Sequence, residues 1–81
     1  MDLLNKELVA NVLYAQYASE NHMYWVLSKQ YIKTYEKGDY AEALSIKKEI
    51  DAVYAKIQAI NESRVHLGIS DHLWDTVSLN F

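Results

Sequence analysis

Proline is absent and glycine occurs only twice, at Gly38 and Gly68. These are the strongest helix breakers in the chain, and they divide it into a long helical pattern, a second one and a short aromatic tail. Helix 1 is expected from Asp2 to Lys37. Asp2 serves as N-cap, and Asp2 and Lys6 form an i,i+4 pair in the favourable order. Lys33 and Lys37 fall in the last turn, where cations complement the helix dipole, and Gly38 follows as the left-handed residue that stops the helix. Such a helix is roughly 50 Å long at 1.5 Å per residue.

Helix 2 is expected from Asp39 to Leu67. Asp39 and Glu42 form a capping box at its start. Its seam reads Ala43, Ile46, Ile50, Val53, Ile57, Ile60, Arg64, Leu67. Steps of three and four alternate without a fault, as coiled-coil-type packing requires. Gly68 ends the helix and Ile69 folds back as its apolar contact. The short turn at Gly38-Asp39 makes the helices antiparallel neighbours. Residues whose numbers add to about 76 should then lie level, if the two helices share one rise per residue. The tail, residues 70–81, opens with Ser70 as N-cap and Asp71 in the first turn. With His72, Leu73, Trp74, Val77 and Phe81 it reads as a short third helix.

Helix 1 carries two stripes. One is Leu4, Leu8, Val12, Ala15, Ser19, His22, Val26. The other is Leu13, Tyr17, Tyr24, Leu27, Tyr31, Tyr35, with Tyr17, Tyr24 and Tyr31 at seven-residue spacing. A helix with two such stripes needs neighbours on two sides. The fold expected is therefore an all-α single domain over residues 1–81: an antiparallel two-helix hairpin with a short C-terminal helix, assembling into a helical-bundle oligomer. Leu13, Tyr17, Tyr24, Leu27, Tyr31, Tyr35 and Trp74 are its candidate interface, since Tyr and Trp suit half-wet contacts.

Composition narrows the function. Cysteine is absent, which excludes a disulfide framework, a thiolate nucleophile and a cysteine zinc site; a reducing cytosol is the default compartment. The longest apolar run, Met23 to Leu27, is far below the roughly 20 residues of a membrane span. The first residues show no basic n-region, so no signal peptide is expected. A net charge of −3 argues against a nucleic-acid binder. Half the residues, 51%, are apolar, well above the disordered range.

Arg64 interrupts an otherwise apolar seam. Either its stem packs along the seam while a carboxylate such as Glu7 holds its head, or it clamps an anionic ligand through its bidentate fork. In the second case Asn11, level with it on helix 1, and Tyr17, His22, Tyr24 and Trp25 are the candidate lining of a nucleotide-like site, because aromatic rings stack on planar groups. His22 has a second reading as a core histidine near Tyr54. Glu62 and His66 stand at i,i+4 but supply too few ligands for zinc, and no metal or other cofactor is expected. Lys29, Lys33 and Lys37 form one row, with Lys47 and Lys48 nearby, so the hairpin tip is basic. No nucleophile motif, phosphate loop or carboxylate dyad points to catalysis.

The stretch Leu4-Asn5-Lys6-Glu7-Leu8, followed by Leu13-Tyr14 and Tyr17, resembles the first helix of ferritin-like proteins. That resemblance implies four-helix packing and iron held by Glu-x-x-His, a motif this sequence lacks. In profile, compact acidic cysteine-free helical chains are similar in kind to accessory or inhibitor proteins of phages and mobile elements. The function expected is non-catalytic: a homo-oligomeric binding protein acting on a host or cognate protein partner. The alternatives are sequestration of a small anionic ligand at subunit seams and a ferritin-like metal-binding bundle.

Overall fold

The computed structural model describes residues 2–81. It contains three helices: α1 (Leu3–Glu36), α2 (Tyr40–His66) and α3 (Asp71–Ser78), with no strand among the described residues. Each start is capped by the residue the sequence suggests. The Asp2 carboxylate accepts from the Asn5 amide at 2.8 Å, Asp39 from Glu42 at 3.2 Å, and the Ser70 hydroxyl from Leu73 at 3.1 Å. Each satisfies one of the orphan donors of a first turn.

Both glycines act as expected. Gly38 and Gly68 have φ of +81° and +72°, a region that Cβ disfavours for other residues. Each sits inside a complete Schellman pair of hydrogen bonds. Gly38 N donates to Tyr35 O at 3.0 Å and Asp39 N to Thr34 O at 3.2 Å. Gly68 N donates to Val65 O at 3.0 Å and Ile69 N to Arg64 O at 3.1 Å. The Asp39 amide is thereby used, so Glu42 does not reach back to it and the capping box is only half made. The Asp2–Lys6 side-chain pair also does not form. Lys6 instead extends its ammonium to 3.5 Å from where a Cβ on Gly68 would lie, beside the carbonyl-rich end of α2, where a cation is favourable.

The α1 and α2 helices run antiparallel with the expected register. Lys56 meets Glu20 at 4.0 Å, and the rings of Tyr24 and Tyr54 lie 6.1 Å apart. The seam of α2 faces α1: Ala43, Ile46, Val53, Ile57 and Ile60 are buried, and Ile50, Arg64 and Leu67 half-buried. Two apolar clusters result. One runs along the hairpin through Leu27, Ile46, Val53 and Ile57. The other joins Ala10 and Ile60 to Ile69, Trp74 and Val77. Tyr17 packs against both. The tail folds back on its own hairpin, with α3 lying on α1 and Val77 1% exposed.

The result is a single elongated layer. It measures 53 × 22 × 15 Å with a radius of gyration of 16.0 Å, against about 12 Å for a compact domain of this length.

Candidate interaction surfaces

Of the two stripes on α1, the tyrosine stripe is consumed within the chain. Leu27 is buried, and Leu13, Tyr17, Tyr24 and Tyr31 are half-buried against the two clusters. Trp74 is buried on the same side. These residues, expected at a subunit interface, line the hairpin's own core. The large rings win the inward face because they fill the space between α1 and α2 and then receive α3. Tyr35 alone of the stripe stays exposed, stacked edge-on to Tyr40 at 5.1 Å.

The other stripe points away from α2 and is left bare. Leu4, Leu8 and Val12 are 66%, 57% and 60% exposed; Ala15, Ser19 and His22 are also exposed, and Val26 is half-buried. His22 therefore does not meet Tyr54, which lies beside Tyr24. It stands on the outer face with its ring 6.5 Å from that of Trp25.

Arg64 does not pair with Glu7. Its guanidinium Nη2 lies 3.0 Å from Asp71 Oδ1 and its Cζ 5.2 Å over the Trp74 ring. The reversal at Gly68 returns the chain onto α1 with Asp71 and Trp74 within reach of the arginine head. Glu7 stays exposed on α1, with its carbonyl accepting from Asn11 Nδ2 at 2.9 Å. Among the described residues Arg64 Nε finds no hydrogen-bond partner and is buried.

The candidate ligand residues thus separate. Tyr17, His22, Tyr24 and Trp25 line one groove along α1 with Tyr14, Ala18 and Asn21. Arg64 and Asn11 lie outside it. Tyr14 was not among the interface or ligand residues expected from sequence, yet it is the hub of the aromatic cluster. Its ring is 5.0 Å from Trp74, 5.1 Å from Phe81 and 5.6 Å from Tyr17. Lys29 does not line this groove, but its Nζ lies 3.8 Å over the ring of Trp25, which does, in cation–π range. Lys47 pairs with Asp51 at 3.9 Å across one turn of α2.

Among the described residues no three His, Asp or Glu side chains stand close enough to hold a metal ion. No helix there is long and apolar enough to cross a membrane. No family model matches the chain, and no match was found among curated proteins or solved structures.

Proposed function

We propose that this chain is a non-catalytic, self-associating helical protein that works by binding other proteins through its bare apolar faces. The supporting observation is surface area. A folded monomer of 9.4 kDa is expected to expose about 5,000 Å². This chain exposes 5845 Å². The surplus, roughly 800 Å², equals what one partner buries in an interface of standard size. It arises because domains are built from at least two packed layers, whereas this hairpin supplies one. Part of the surplus is the uncovered outer stripe of α1, where Leu4, Leu8 and Val12 are more than half exposed.

Native mass spectrometry of freshly purified protein, joined to light scattering at micromolar concentration, tests this. The expected outcome is a mass of two or more chains with nothing else retained. A clean monomer with a cooperative melt sinks the self-association. A retained metal or nucleotide turns the reading towards a ligand protein.

A second reading has one observation in its favour. The groove that gathers Tyr17, His22, Tyr24 and Trp25, with Lys29 over the indole, suits a planar anionic ligand held by stacking and one cation. A thermal-shift screen against nucleotides tests it, since a ligand at a hundred times its dissociation constant adds about 2.7 kcal/mol. Silence across the screen retires it.

A further inference from the structure

We draw no further inference here: the strongest candidate, the aromatic groove of Tyr14, Tyr17, Tyr24 and Trp25 along α1, belongs to the site already described, and its walls all come from α1 with no buried polar residue among them to single out one ligand.

Discussion

Arg64 and Asp71 meet at 3.0 Å across the Gly68 turn, one largely buried and the other almost fully exposed. This asymmetry says what the contact contributes. An ion pair with an exposed carboxylate is worth about 0–1 kcal/mol. The arginine's larger role is apolar: its stem completes the α2 seam and its guanidinium covers the Trp74 face. Arg64→Ala should therefore cost about 1–2 kcal/mol in urea unfolding, more than Asp71→Asn. Arg64→Leu should be close to neutral, because it keeps the packing and removes an Nε that is buried without a partner. A large loss on Arg64→Leu, equal to that of Arg64→Ala, would show that charge rather than packing holds α3.

Trp74 is the anchor of α3. It is 9% exposed and lies edge-on to Tyr14 and Tyr17 at 5.0 and 5.8 Å. Trp74→Ala should cost about 3–5 kcal/mol. Near-ultraviolet circular dichroism should weaken strongly, while the far-ultraviolet helical signal falls little before the melt, because α1 and α2 keep their own cluster. A simultaneous loss of both signals at low temperature would mean that the hairpin does not stand without α3.

Gly38 isolates the backbone term. Its φ is +81°, and a Cβ there would meet nothing within 4 Å. Gly38→Ala should cost about 1–2 kcal/mol from conformation alone. Gly38→Asn should cost less, since asparagine tolerates the left-handed region. Equal losses for the two variants would point to an unseen packing role at the hairpin tip.

Much of this architecture was legible in the sequence for local reasons. Caps, C-terminal glycines and the three-four seam of α2 are decided within one or two turns, and each stands where its pattern places it. The assignment of α1's stripes was not legible. Both are apolar at helical spacing, and periodicity cannot say which faces α2. That is decided by the volume of Tyr17, Tyr24 and Leu27 and by the return of α3 onto Tyr14 and Tyr17. Arg64's partner was missed for a related reason. Glu7 looked near in register, but Asp71 arrives through the direction of the Gly68 turn, which a seven-residue separation across a glycine could have signalled. The expected pairing of His22 with Tyr54 failed because His22 belongs to the outer stripe.

Metal removal should leave the fold untouched. Among the described residues no ligand cluster is present, and Glu62 and His66 offer fewer donors than the three or four a zinc site uses. Melting temperature should be the same before and after chelation. A fall of many degrees, restored by zinc or ferrous iron, would promote the ferritin-like bundle over the proposed binding protein.

Tyr24 and Leu8 separate folding from association. Tyr24 is half-buried between α1 and α2, beside Tyr54 and against the hairpin cluster. A carboxylate placed there loses solvation without gaining a partner. Tyr24→Glu should destabilise the hairpin itself, by about 2 kcal/mol or more, and lower its urea midpoint at every protein concentration. Leu8 is more than half exposed on the outer stripe. Leu8→Glu should leave the stability of the isolated chain within about 0.5 kcal/mol, as surface changes usually do. It should instead remove the concentration dependence that association gives to the melting temperature. Melts of wild type and both variants over a hundredfold range of concentration make the comparison. If Leu8→Glu melts early at low concentration while Tyr24→Glu loses only the concentration dependence, the inner and outer faces of α1 have been assigned the wrong way round.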